Sequence, residues 1–266
     1  MELKIACCII ALNRQEITVA TTKHNINTAG IPVDLFVWDN GSEPNQKNRI
    51  YEELFATQHL IYYGTEDKNI GVAKAFNKLI KKALDNGYNM VVLLGNDLKN
   101  SENWLKKIHQ YATAIPHSGL IALHWGCGAN PIFPDVINGL PVNKTEGVFG
   151  VMALTPHVLE NVGYLCEDYH PYGLEDSDLN VRVNGIGLQS YYIPGVTSEH
   201  LANDVGQNTP YRKMKDDSLK ENLKTFEENV AKYHLYKHYY IGYNNLYTPP
   251  TPHSTLMAKP VETENK

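Results

Sequence analysis

Three short stretches put acids and amides where an apolar run gives way to a turn. They are Val37-Trp38-Asp39-Asn40-Gly41-Ser42, Leu93-Leu94-Gly95-Asn96-Asp97-Leu98 and Gly173-Leu174-Glu175-Asp176-Ser177-Asp178. A carboxylate at the end of a buried strand can hold a hard divalent cation, and a carboxylate near a hydroxyl can take its proton. Each stretch alone is also ordinary structure, because Asp, Asn, Gly and Ser favour turns and acids suit the first turn of a helix. Their recurrence at strand ends along one alternating chain is what points to a site, since open α/β sheets bind ligands there.

The elements that must position these groups follow from periodicity. Short apolar runs at 4–11, 33–38, 59–63 and 90–94 read as strands, and they alternate with amphipathic stretches in a βαβ pattern. Val72, Phe76, Leu79, Ile80, Ala83 and Leu84 repeat at helical spacing and Asn86-Gly87 closes that helix. A second helix is expected after Ser101 as its cap, with Trp104, Ile108, Tyr111 and Ile115 on one face, then a strand at 119–124. Residues 126–147, rich in Gly, Pro and Asn, read as a long loop facing substrate. Beyond it come a strand or turn at 147–155, a helix opened by Pro156, a helix from Glu175 and a strand at 189–195. A late helix is expected over 216–240, with Ser218 and Glu221 as a capping box and Leu219, Leu223, Phe226, Val230 and Tyr233 as its apolar stripe. The Pro- and Thr-rich end, 247–266, reads as a mobile tail.

Composition bounds the class. The 266 residues are 42% hydrophobic and 20% charged, which is that of a folded globular protein. With 24 basic against 29 acidic residues the formal charge is −5, so no overall field draws the chain to nucleic acid or anionic membrane. The basic run Tyr211-Arg212-Lys213-Met214-Lys215, with Lys220, Lys224, Lys232 and Lys237, reads as a solvated helix face balanced by Glu221, Glu227 and Glu228. No apolar run approaches the ~20 residues that span a bilayer, so no transmembrane segment and a cytoplasmic protein are expected. The four cysteines, Cys7, Cys8, Cys127 and Cys166, show neither zinc spacing nor a disulfide framework, and read as reduced thiols.

The ensemble of motifs resembles the inverting, family 2 type of glycosyltransferase with the GT-A fold. The resemblance runs in order through Ala11-Leu12-Asn13-Arg14, the Asp39 stretch, residues 69–77, Gly95-Asn96-Asp97, residues 147–163, Glu175-Asp176-Ser177-Asp178 and Glu199-His200-Leu201. It covers roughly residues 4–201 and none of the rest. It implies an α/β fold with a Rossmann-like three-layer αβα arrangement and a mixed central sheet over 1–202; the helical extension expected over 203–246, packed on the same domain, rests on the apolar stripe alone.

The resemblance also implies roles. Sugar transfer from a nucleotide diphosphate needs the charge on the departing diphosphate to be neutralised, for which Mn²⁺ or Mg²⁺ serves as Lewis acid. The family holds that metal with Asp-x-Asp, of which this chain keeps only Asp97, with His200 as the expected second ligand. An imidazole nitrogen favours Mn²⁺ over Mg²⁺. Asp176 is the expected general base and Glu175 its orienter or an acceptor contact. Asp39 would accept the N3–H of uracil or thymine, favouring a UDP- or dTDP-sugar; Ala11, Leu12, Asn13, Asn69, Gly71 and Asn96 would line the nucleotide cleft. Asp178 and Arg182 would face the far side of their helix or approach the phosphates, and Asn77 reads as structural. Glycan, protein and a hydroxylated nucleic-acid base all remain open as acceptor.

The rival readings are weaker. A dinucleotide fingerprint fails at Gly126-Cys127-Gly128-Ala129-Asn130-Pro131, whose proline falls where the helix must open. A sugar-nucleotide pyrophosphorylase would need a Gly-rich basic loop where Ala11-Leu12-Asn13-Arg14 stands. The non-enzyme alternative is a nucleotide-sugar or glycan-binding module of the same fold, favoured by Gly95 in place of the first acid and opposed by the intact acidic run at 175–178.

Overall fold

The computed structural model describes residues 2–124, 131–201 and 210–235. The first half forms as its periodicity requires. Strands β1 (Ile5–Ala11), β2 (Asp34–Asp39), β3 (Leu60–Thr65) and β4 (Met90–Leu94) are mutually parallel in the order β3-β2-β1-β4. The inner strands β1, β2 and β4 are apolar on both faces because helices cover both, whereas β3 lies at the edge and is partly exposed. Cys7, Ile9, Leu35, Val37, Val92 and Leu94 point to one layer, and Ala6, Cys8, Phe36, Trp38, Val91 and Leu93 to the other. The helix after β3 spans Val72–Asp85, within a residue of its expected limits.

Helices α1 (Gln15–Thr28) and α2 (Pro44–Phe55) connect the first strands, and the helix after β3 is α3. The α1 sequence carries no apolar stripe, because the side it buries is polar: Thr18, Thr21, Thr22, Asn25 and Thr28. Thr22 and Thr28 satisfy their hydroxyls on carbonyls one turn back, at 2.6 and 3.0 Å.

Beyond β4 the sheet becomes mixed. Strand β5 (Leu98–Asn100) leads to α4 (Trp104–Ala114) and β6 (Ile121–His124). A hairpin follows, β7 (Phe133–Ile137) and β8 (Leu140–Thr145), then β9 (Met152–Leu154), α5 (Pro156–Asn161), α6 (Glu175–Gly185), β10 (Ser190–His200) and α7 (Pro210–Leu235). The sheet continues β4-β9-β6-β10-β8-β7, with β9 antiparallel to β4 and β6, and β5 paired to the far end of β10.

Three expectations are corrected. The described part of the expected long loop is the β7–β8 hairpin, turned by Asn138-Gly139 with φ of 50° and 79°; Asn-Gly suits such two-residue turns because both positions need positive φ. Ser101 does not cap α4: its Oγ accepts the N–H of Thr197 on β10, and Asn103 holds the cap position. Nor does Ser218 cap α7, which starts at Pro210; Ser218 lies inside the helix and donates to Met214 O at 2.6 Å. Residues 236–240 of that expected helix, the tail and Cys127 lie outside the described residues, while Cys7, Cys8 and Cys166 are buried free thiols. Among the described residues no helix is long and apolar enough to cross a membrane.

Asp178 and Arg182 face away from the cavity and tie α6 to α7. Arg182 Nε donates to Asp178 Oδ1 at 2.6 Å with both side chains fully buried, and Arg182 also donates to Val162 O and Tyr164 O. Tyr169 and Tyr233 hydroxyls donate to Asp178 Oδ2 at 2.9 and 2.6 Å. Removing one partner of such a pair strands a buried charge. Asp178→Ala should therefore lose about 3–5 kcal/mol of stability and Tyr233→Phe about 1 kcal/mol, measured as urea unfolding free energies; equal small losses would refute the role given to the pair.

Candidate active site

A cavity of about 500 Å³ opens at the carboxyl ends of β1 and β4, and Leu12, Asn96, Asp97, Glu175, Asp176 and His200 all line it. Its floor is the turn by which the chain leaves β4. The polar face of α1 holds that turn: Thr21 donates to Asn96 O at 2.6 Å, Asn96 Nδ2 to Thr18 Oγ1 at 2.9 Å, and Asn25 Nδ2 to Leu98 O at 2.8 Å. Asn25 Oδ1 accepts Asn100 N–H at 2.8 Å. The polarity that hides α1 from a periodicity search is thus what fixes Asp97.

Glycine at 95 fits this tight turn. A Cβ there would lie 3.0 Å from Leu98 Cδ1 and 3.2 Å from Asp97 Oδ1, so a larger side chain would crowd the carboxylate. Pairing of β5 with β10 sets His200 opposite Leu98, and Leu201 N–H donates to Asp97 O at 2.9 Å. His200 Nε2 then stands 3.5 Å from Asp97 Oδ2. An oxygen and an imidazole nitrogen on one side of an open cavity fit a cation whose remaining ligands are phosphate and water. Among the described residues no group of three or more His, Cys, Asp or Glu side chains is placed to hold a metal.

Sequence reasoning gave Arg14 no role, yet its Nη1 donates to Asp97 Oδ2 at 3.1 Å, the oxygen that faces His200. Asn13 and Arg14 both have φ of 53°, a conformation that is uncommon outside glycine and that aims Arg14 into the cavity. The available signal was a cation directly after the first strand end.

Glu175 and Asp176 open α6 after a turn through Gly173 and Leu174, with φ of 97° and 73°. Burial, then the Asp176 charge, pushes the Glu175 carboxyl up to about 8, against the backbone N–H groups of Glu175 and Gly173 and the Lys215 charge. Burial also raises Asp176, against hydrogen bonds from Ser177. Burial thus pushes both carboxyls towards the protonated form, and at Glu175 the Asp176 charge adds to it. Helix α7 supplies a wall that the sequence did not announce: Met214, Lys215 and Leu219 line the cavity, and Lys215 Nζ sits 4.3 Å from the Tyr172 ring centroid.

The remaining expected residues form the surroundings. Asn69 lines the cavity, but its Oδ1 accepts from Asn40 Nδ2 and Gly71 N–H at 2.9 and 2.8 Å, which shapes the entry to α3. Gly71 has φ of 92°, and a Cβ there would come within 2.7 Å of His170 Nδ1. Asn13 Oδ1 accepts Glu43 N–H, and the Asn13 N–H donates to Ser42 Oγ. Ala11 and Asp39 are fully buried, and the Asp39 carboxylate accepts Ser42 N–H at 2.8 Å and Tyr63 OH at 3.3 Å. Asn77 binds the main chain of Leu165 on both its amide atoms and is structural, as expected.

Residues 6–134 match the model of the Glycosyl transferase family 2 family. The chain has the GT-A fold and carries a region similar to family 2 glycosyltransferases. An uncharacterized glycosyltransferase of Acanthamoeba polyphaga mimivirus is 25% identical over 195 residues, which are 70% of this chain and 69% of that protein. The mannosyltransferase PcManGT from Pyrobaculum calidifontis, solved with GDP-Man and Mn²⁺, superposes with a TM-score of 0.56 at 13% identity, over 77% of this chain and 59% of its own. S. aureus TarS gives 0.63 at 12% identity, over 96% of this chain and 41% of its own. A GalNAc-T protein solved with UDP, GalNAc and Mn²⁺ gives 0.62 at 11%, over 96% of this chain and 53% of its own. At these identities the solved structures speak for the fold, and the chain spans roughly half the length of those three.

The raised Glu175 carboxyl has a consequence for stability. Between the ordinary glutamate range near 4.5 and about 8 the folded protein keeps a proton that the unfolded chain has released, so this group lowers stability as pH rises through that window. Glu175→Gln should therefore melt higher than the parent at pH 8 and equally at pH 4, the gap opening steadily between the two. A pH-independent difference in melting temperature would contradict the assigned environment.

Proposed function

We propose that this protein moves a sugar from a nucleotide diphosphate sugar to an acceptor hydroxyl with inversion, Asp176 acting as general base. What carries the reading is that one cavity joins the charged cluster Arg14, Asp97 and His200 to the carboxylate pair Glu175-Asp176. Leaving-group stabilisation and proton removal are the two demands of such a transfer. The donor lies with its diphosphate towards Asp97 and its sugar towards Asp176. Ionised Asp176 accepts the acceptor's proton while Glu175, holding its own, donates a hydrogen bond to the acceptor or orients the base.

Asp97 and His200 would hold Mn²⁺ or Mg²⁺, with Mn²⁺ favoured by the imidazole. When bound, the cation supplies Lewis acidity to the departing diphosphate. Arg14 adds a fixed positive charge on the same side. With two protein donors and a guanidinium already on Asp97 Oδ2, metal affinity rests largely on the nucleotide's phosphates. A UDP- or dTDP-sugar is the preferred donor on the family resemblance at Asp39; its carboxylate is covered here and must be uncovered for the base to reach it.

Thermal stabilisation by a panel of UDP-, dTDP- and GDP-sugars, with and without Mn²⁺, tests the donor. A nucleotide sugar at 100 times its dissociation constant should add ~2.7 kcal/mol, with the larger effect when Mn²⁺ is present, whereas Mn²⁺ alone should bind weakly. No stabilisation by any donor under either condition would rule out the reading. In the variant Asp176→Asn, transfer should fall by about 10²–10⁴-fold with nucleotide binding retained. An unchanged rate would remove the base from Asp176.

A further inference from the structure

Asn222, on α7, is 3% exposed and spends its whole amide on one stretch of main chain. Its Nδ2 donates to the carbonyls of Tyr172 and Gly173, both at 3.0 Å, and its Oδ1 accepts His170 N–H at 3.3 Å. That stretch is the turn that delivers Glu175 and Asp176 to the cavity. Leu174 lies in the left-handed region, which strains a residue with a Cβ, so the turn persists because something outside it holds it. From the α3 side Val72 N–H donates to Pro171 O at 3.0 Å, and from the α7 side Asn222 takes the three peptides around it. Asn180, the other buried amide near this turn, is spent farther along α6, on the main chain of Val148 and Asp176.

We propose that Asn222 is a positioning residue of the active site, fixing the turn 170–174 from α7 so that Glu175 and Asp176 face the acceptor side of the cavity together. The proposal rests on the reading of that pair as the proton-transfer groups. Its physical link runs through the Tyr172–Gly173 peptide: Asn222 grips that unit by the Tyr172 carbonyl, and its N–H, on Gly173, stabilises the Glu175 carboxylate. Loosening the grip withdraws that N–H. The charges facing Glu175 are Asp176 on α6 and Lys215 on α7, with Asp97, His200 and Arg14 across the cavity, and none of these is moved by trimming Asn222.

The test is a carbon-13 NMR titration of the full chain labelled at the glutamate carboxyl carbons, with the Glu175 signal assigned by its absence in Glu175→Gln. The parent should titrate near 8 at this carbon. Asn222→Ala should move the midpoint upward by about half a pH unit or more, with Asn222→Ser serving in its place if the alanine variant does not fold. Asn229→Ala is the comparison, since Asn229 is equally buried on the same helix but bonds Tyr169 and Cys166 rather than the turn. Its midpoint should match the parent. An unmoved midpoint in the Asn222 variants, or an equal shift in Asn229→Ala, would overturn the proposal. The titration needs no donor or acceptor, so it fails independently of the nucleotide-sugar panel.

Discussion

The site depends first on how the chain leaves a strand that is buried on both faces. At the end of β4 the backbone enters a turn whose N–H and C=O groups lie inside the protein and must find partners. Helix α1 meets that demand with a polar inner face, placing Thr18, Thr21 and Asn25 against Asn96, Leu98 and Asn100. An apolar α1 would bury more hydrocarbon but would leave those groups unsatisfied at about 1–3 kcal/mol each. The seam therefore trades hydrophobic burial for a fixed direction of the Asp97 carboxylate. Strand β5 completes the arrangement, because its pairing with β10 carries His200 to the same carboxylate.

A second constraint acts on the other wall. Glu175 is buried and its neighbour Asp176 half-buried, so desolvation and the Asp176 charge both favour a protonated Glu175. Holding two such groups toward a cavity costs stability, and the structure offsets that cost one turn along α6. There Asp178 is paired with Arg182 and two tyrosine hydroxyls, one of them from α7. The acidic run thus divides by helical geometry: positions 175 and 176 face the cavity, and 178 points into the core. The anchoring acid locks the helix whose first turn carries the reactive ones.

What was legible in the sequence is what periodicity records. Strands β1 to β4 and α3 bury apolar side chains at regular spacing, and their limits were visible within a residue or two. Asp97, His200, Glu175 and Asp176 were legible because their motifs sit at strand and helix ends in a fixed order, and the fold brings all four to one cavity. Helix α1 was silent because its buried face is polar. The β7–β8 hairpin was masked by glycine and proline, although Asn138-Gly139 announced it. Arg14 and the α7 wall were hidden for another reason: their partners lie 83 residues away in one case, and across the α6 turn in the other, and no local pattern encodes such contacts.

The division of the chain has a further implication for specificity. The family 2 model matches residues 6–134, which include Arg14 and Asp97, the groups placed on the donor's diphosphate. The carboxylate pair, His200 and the α7 residues Met214, Lys215 and Leu219 lie beyond it. Leaving-group chemistry is common to every nucleotide-sugar donor, so one arrangement of charges can serve many enzymes. An acceptor has no such common group apart from its hydroxyl, and its recognition falls to whatever surrounds the base. In this chain one exposed leucine, a methionine and a lysine of α7 are among the residues lining the cavity, on a helix that also holds the turn of Glu175 and Asp176 through Asn222. On the proposed roles, a change in α7 that admits a new acceptor would also act on the pair assigned to deprotonate it, which would couple acceptor choice to turnover.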